Sequence, residues 1–304
     1  MPESGKCPVQ NPLARYLPLR EFWEPFNPLG FDKGTFVLFT GYMDESYDGA
    51  KQNLFVFSCL VARGKVWAEL ARSWKLQIDA VNRRLVKAGR PLISRYHASE
   101  CSGRRGDFKG WSLDERDAFV RGLFGVVKRS QGMHAVAYTI ELDDLCEVFP
   151  EWAEDRLKAA YGLLPRFVMY TVGDDLHNLG QGIPAKVTLF HDRTGGDGKY
   201  DPTILRAFNT QMNGSGFRYK DSFTTIAPLS WQDCVPLQPA DLVAFESFKE
   251  AEAKLEARKQ RKSFQALIEM DAFCIHVKSF NKEILQELRA RMENDKAKVE
   301  HDNV

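Results

Sequence analysis

An α/β domain, a mixed sheet flanked by helices, is the fold this sequence predicts, and three features lead to it. Two apolar runs of strand length, 36–43 and 53–62, stand on either side of Asp48-Gly49, a strong hairpin signal. Residues 67–86 then place apolar side chains at helical spacing. Further along, strand-like runs alternate with helical ones, the order that builds a sheet with helices packed on it.

The first run, Phe36-Val37-Leu38-Phe39-Thr40-Gly41-Tyr42-Met43, stops abruptly at Asp44-Glu45-Ser46. Its length and aromatic content suit a strand buried on both faces. Adjacent side chains of a strand point to opposite faces, so Asp44 and Glu45 diverge. One can line a cleft while the other faces away; a strand ending in a polar turn gives the same pattern. Upstream, prolines at 2, 8, 12, 18, 25 and 28 surround Phe22, Trp23 and Phe26. That proline density blocks long helices and central strands. Residues 1–34 therefore read as an arm whose aromatics pack on the body or engage a protein partner.

Residues 53–62 form the second buried strand, expected antiparallel to the first. The helix 67–86 carries Trp67, Leu70, Trp74, Ile78, Val81 and Leu85 on one side, and Arg90-Pro91 ends it. Ser112-Leu113-Asp114-Glu115 has the form of a capping box, opening a helix to about Arg129. A strand over 134–142, a helix over 151–171 and a strand over 185–192 follow. Gly195, Gly196 and Gly198 mark a loop, 202–212 a short helix and 222–229 a strand. Pro239 suits the first position of a helix that runs into a basic stretch, Lys254 to Lys262. Residues 264–280 are apolar enough to pack, and a charged helix begins at Lys282. The expected domain is 35–285, with 286–304 as a charged tail and the basic end as a helical C-terminal extension.

Lys and Arg number 42 against 41 Asp and Glu, so nucleic-acid binding would have to come from a local basic patch. Arg83, Arg84, Arg104, Arg105 and the 254–262 stretch are the candidates. The six cysteines lack a CxxC pair, which speaks against a zinc knuckle and a secreted disulfide framework. No apolar run reaches transmembrane length, and residues 1–11 lack signal-peptide character. A reduced, cytoplasmic protein without a membrane partner is expected.

Four acids sit where a site can form. Asp44 and Asp192 end apolar strands, Glu100 lies between a strand-like run and a glycine-bearing loop, and Asp241 lies in a first helical turn above Ala244, Phe245 and Phe248. Each taken singly has a structural explanation. Brought together they would repel one another and resist ionisation. A divalent cation resolves that conflict, and hard oxygen donors suit Mg²⁺ or Mn²⁺.

Met-Asp-Glu-Ser (43–46), Tyr-His-Ala-Ser-Glu (96–100), Phe-His-Asp (190–192) and Leu-Gln-Pro-Ala-Asp-Leu-Val-Ala (237–244) together resemble the microbial and phage family known as domain of unknown function 3800. Their order and rough spacing match from about Phe36 to about Phe248. That family is similar to ribonuclease H-like folds, whose metal-binding acids sit on a first strand, a later strand and a final helix. The resemblance implies that Asp44, Asp192 and Asp241 are metal ligands and that Glu100, with His97 beside it, is the remaining acidic site, so that Asp44, Glu100, Asp192 and Asp241 together are expected to hold Mg²⁺ or Mn²⁺. It implies Gln238 as a support for Asp241. Tyr47 stands where the family often has Gly. The expected activity is metal-dependent phosphodiester hydrolysis of RNA or DNA by a metal-bound water, with His97 orienting water or leaving group. The alternative is a non-catalytic nucleic-acid or protein-binding module of a mobile-element or phage-defence system. In that case the acids would be structural.

Overall fold

The strand at 54–63 explains the architecture, because its side chains are buried on both faces. Phe55, Phe57, Cys59 and Val61 enter one hydrophobic core, whereas Leu60 and Ala62 enter the other. A strand with two apolar faces must lie inside a sheet with helices on each side. In the computed structural model, which describes residues 37–48, 53–179, 184–194, 197–231, 234–269 and 273–302, it does. The arm 1–34, Gly49, Gly195 and Gly196 lie outside the described residues.

The elements are β1 (Val37–Tyr47), β2 (Leu54–Arg63), α1 (Gly64–Lys87), α2 (Ala98–Gly103), α3 (Leu113–Arg129), β3 (Met133–Glu141), α4 (Leu142–Val148), α5 (Arg156–Leu179), β4 (Ala185–Asp192), α6 (Asp201–Asn213), β5 (Phe223–Leu229), α7 (Leu237–Leu255), α8 (Lys262–Ile268), β6 (Phe273–Phe280) and α9 (Lys282–Asp302). The sheet order is β5-β4-β1-β2-β3-β6. β2 runs antiparallel to both β1 and β3, while β1–β4, β4–β5 and β3–β6 are parallel pairs. β1 is therefore central, and side chains of β2 and β4 fill the space a Cβ would take at Gly41. A Cβ at Gly41 would stand 2.6 Å from Leu189 Cδ2 and 3.2 Å from Cys59 Sγ.

α5 packs on one face. Tyr161 meets Phe55 edge-on at 4.7 Å between ring centroids and stacks on Tyr200 at 4.5 Å. α1 and α7 occupy the other face. The Trp67 indole donates to the Thr40 carbonyl at 2.8 Å, and Ser58 Oγ donates to the Ala240 carbonyl at 3.1 Å. The Ser112–Glu115 capping box is formed as the sequence predicts.

Several boundaries differ from the sequence reading. α1 begins at Gly64, three residues early, because the chain passes from β2 into the helix directly through Arg63. The helix expected over 151–171 is a 3₁₀ turn at Pro150–Asp155 followed by α5, preceded by the unexpected α4. Its apolar face continues through Val172 and Leu176, which extends it. Pro239 is the third residue of α7, not the first; a first-turn N–H has no partner inside the helix, so proline fits there too. The basic stretch is not a continuation of α7. The chain reverses after Leu255 with Ala257 left-handed at φ 51°. Arg258 N–H donates to the Ala253 carbonyl and Ala257 N–H to that of Lys254, the Schellman pattern of bonds. Residues 264–280 divide into α8 and the edge strand β6. α9 passes unbroken through residues 285 and 286, with Leu285 buried and Leu288 packed against the core.

Candidate functional site

Asp44 and Asp192 meet because β1 and β4 are parallel neighbours. Met43 and His191 are the last pair in register, and one residue further along each strand come the two acids. The α7 face of the sheet supplies the third. Asp241, in the opening turns of α7, receives the Ala98 N–H at 2.7 Å. Three residues earlier, Gln238 is buried and accepts from the Trp74 indole at 2.9 Å and from Tyr96 N–H at 3.0 Å. Alternate backbone donors of segment 96–98 are thus bound to two side chains of α7, which fixes the segment against the helix. Asp192 accepts from Trp231 N–H at 3.1 Å, and Asp44 from Glu45 N–H at 2.8 Å.

The three carboxylates resist ionisation. Burial raises Asp44 well above the usual carboxylate range, and the charges of Asp241, Glu45 and Asp192 push the same way. Burial raises Asp192 also, opposed by the N–H groups of Trp231 and Arg193 and by Arg95 and His97. Asp241 is pushed up to about 6, again by burial first, with His97 and the Ala98 N–H holding it down. No ion pair is made by any of the three among the described residues. Mutually repelling carboxylates without a bonded cation, Asp44 buried and Asp192 and Asp241 half-buried, are chemically suited to a hard divalent ion. The side chains as they stand do not close on one point: among the described residues, no three His, Cys, Asp or Glu groups form an ion-binding cluster.

Glu100 and His97 stand one step back. His97 Nδ1 lies 3.5 Å from Glu100 Oε1 and Arg95 Nη2 3.6 Å from the same oxygen. The backbone keeps room for this carboxylate: Gly106 is left-handed at φ 54°, and a Cβ there would lie 2.9 Å from Glu100 Oε2. The His97 side chain is 37% exposed and stands near enough to Asp192 and Asp241 to act on both electrostatically.

Glu45 diverges from Asp44, as strand alternation requires. It accepts from Tyr161 Oη at 2.7 Å on the α5 face, leaves Oε2 buried without a bond, and is pushed up to about 7 chiefly by burial. His191 is on that face too, bonded at 2.8 Å to the Asp192 carbonyl. Two residues beside the carboxylates were not singled out in the sequence. The Arg95 guanidinium lies over the Trp231 ring, 3.2 Å from its centroid. Arg95 immediately precedes the Tyr-His-Ala-Ser-Glu motif; Trp231 follows β5 with no motif around it.

Compared with described protein families, the chain matches none. Nor does it match a curated protein. No helix among the described residues is long and apolar enough to cross a membrane.

Proposed function

We propose that the protein is a divalent-metal-dependent nuclease that hydrolyses phosphodiester bonds of RNA or DNA, with Asp44, Asp192 and Asp241 holding Mg²⁺ or Mn²⁺. The observation that carries this reading is that Asp44, Asp192 and Asp241, from β1, β4 and α7, lie near enough for their charges to oppose one another's ionisation, with no ion pair made by any of them among the described residues. Their distribution over a first strand, a later strand and a helix is the one a ribonuclease H-like nuclease implies. When bound, such ions activate water and stabilise a leaving oxygen.

The chain's own groups supply position and proton handling. Trp231 N–H and Ala98 N–H each fix one oxygen, of Asp192 and Asp241 respectively. His97, part-exposed beside both acids and held toward Glu100, orients water or the departing oxygen. Glu100 acts through His97 and Arg95. The competing reading, a non-catalytic module bound through the basic stretch, draws less support. Arg258 pairs with Glu252 and Glu256, Arg261 with Glu246, and Lys254 lies 3.9 Å from Glu250, so three of the five basic side chains are engaged within the fold, Lys259 and Lys262 being exposed.

The test is cleavage of labelled single- and double-stranded RNA and DNA by purified protein with Mg²⁺, Mn²⁺ or EDTA, beside Asp44→Asn. Cleavage that needs the ion and disappears in an Asp44→Asn protein of unchanged circular dichroism is expected. Undiminished cleavage by that variant, or no cleavage with either ion, would overturn the proposal.

A further inference from the structure

We infer that Arg95, held over the Trp231 ring, receives a phosphate of the substrate strand and positions the neighbouring ester at the carboxylates. The inference rests on the nuclease reading and assigns that site its substrate-recognition group. Its first support is rigidity. Ser94 donates through N–H and Oγ to Asp107 Oδ2 at 2.9 and 2.8 Å. Tyr96 and Ala98 are bound to Gln238 and Asp241. The backbone is therefore fixed on both sides of Arg95. The indole that carries the guanidinium belongs to the residue whose N–H holds Asp192. Arg95 and the acid are thus placed by one loop.

The second support is how the guanidinium is engaged. An arginine serving only to neutralise the acids would bond to them. Arg95 instead makes no ion pair with Asp44, Asp192 or Asp241, although its charge reaches the last two. Among the described residues its ion-pair partner is Glu100 at 3.6 Å, well beyond the roughly 2.7–2.9 Å of a charge-assisted hydrogen bond. The ring covers the guanidinium carbon from one side at 3.2 Å and 17% of the side chain is exposed, which leaves the N–H groups turned away from the ring as the donors. The planar fork of N–H donors of a guanidinium held in place by a ring is matched to two oxygens of one phosphate. Electrostatics call for such a group: three carboxylates repel a polyanion, and a fixed cation beside them offsets this for a strand arriving by its backbone. Recognition through phosphate alone carries no base sequence.

The experiment is equilibrium binding of a fluorescein-labelled single-stranded DNA, followed by anisotropy in Ca²⁺ from about 50 to 200 mM salt. Wild type is compared with Arg95→Gln, Arg95→Lys and Trp231→Leu, and each variant is also melted in EDTA. Arg95→Gln is expected to weaken binding and make the log–log salt slope shallower by about 0.7, the loss of one phosphate contact on a single strand. Arg95→Lys keeps the charge, so the slope persists while affinity falls. Trp231→Leu frees the guanidinium and likewise lowers affinity at constant slope. The lysine and leucine variants decide the matter if Arg95→Gln does not fold. Binding by wild type with an unaltered slope in a folded Arg95→Gln, or full affinity in the other two, would overturn the assignment and leave the nuclease reading standing. No binding by wild type would overturn the assignment, the nuclease reading then resting on the cleavage assay.

Discussion

Asp241 sits where a carboxylate is costly. It is close to other buried acids, it is pushed up to about 6, and one of its oxygens is committed to Ala98 N–H at 2.7 Å. Asp241→Asn keeps an acceptor for that bond and removes a charge. In EDTA the variant should therefore melt no lower than wild type. It should also lose most of the stabilisation that Mn²⁺ gives wild type, which is about 2.7 kcal/mol at a hundredfold excess over the dissociation constant. Were the acid there only to complement the helix dipole, its removal would cost about 0.3–1 kcal/mol with and without the ion. Thermal melts of both proteins in both conditions decide, and an intact Mn²⁺ response in Asp241→Asn would exclude the residue from the site. Asp44, Asp192 and Asp241 were legible in the sequence because each interrupts an apolar pattern. Arg95 and Trp231 were not. Stacking between residues so far apart in the chain depends on the loop after β5 returning toward segment 94–98, and no local periodicity records that.

At the scale of the element, the end of α7 shows how a charge run can mislead. The basic residues of 254–262 were visible, but their partners were not. Glu246 and Glu250 are buried on α7, and the chain must double back to bring Arg261 to them. A glycine usually announces such a reversal; here Ala257 adopts the left-handed conformation. Glu246 Oε2 accepts from Ser263 Oγ at 2.6 Å and lies 3.4 Å from Arg261 Nε. Arg261→Ala should therefore cost about 1–3 kcal/mol in urea unfolding, the range for a buried polar group that loses its partner. Arg258, half exposed, with Glu256 exposed and Glu252 part-exposed, should cost about 0–1 kcal/mol when changed to alanine. Equal effects would show that the Glu246 contact has no special weight. The capping box of α3 could be read in advance because its signal lies within four residues. α4 escaped notice because seven residues are too few for a periodic pattern to emerge.

Over the whole molecule, the alternation of strands and helices disclosed a mixed α/β sheet, and the hairpin fixed the β1–β2 pairing. The parallel pairings stayed hidden, since each joins strands separated by a crossover, and β6 pairs with β3 across more than a hundred residues. That layout also sets an order in time. β1, β2 and β3 are consecutive antiparallel neighbours, and β4 and β5 join beside β1 after long excursions. Pairings distant in sequence bear the larger loop-closure cost and form late. During refolding from urea, pulsed hydrogen exchange should find amides of β2 protected before those of β4 and β5; simultaneous protection would contradict this order. Asp44 then waits on a nearly finished strand while Asp192 and Asp241 are still being delivered. The carboxylates confront one another only in the closing steps of folding, so the repulsion stored at the site opposes the last barrier to the native state and spares the first.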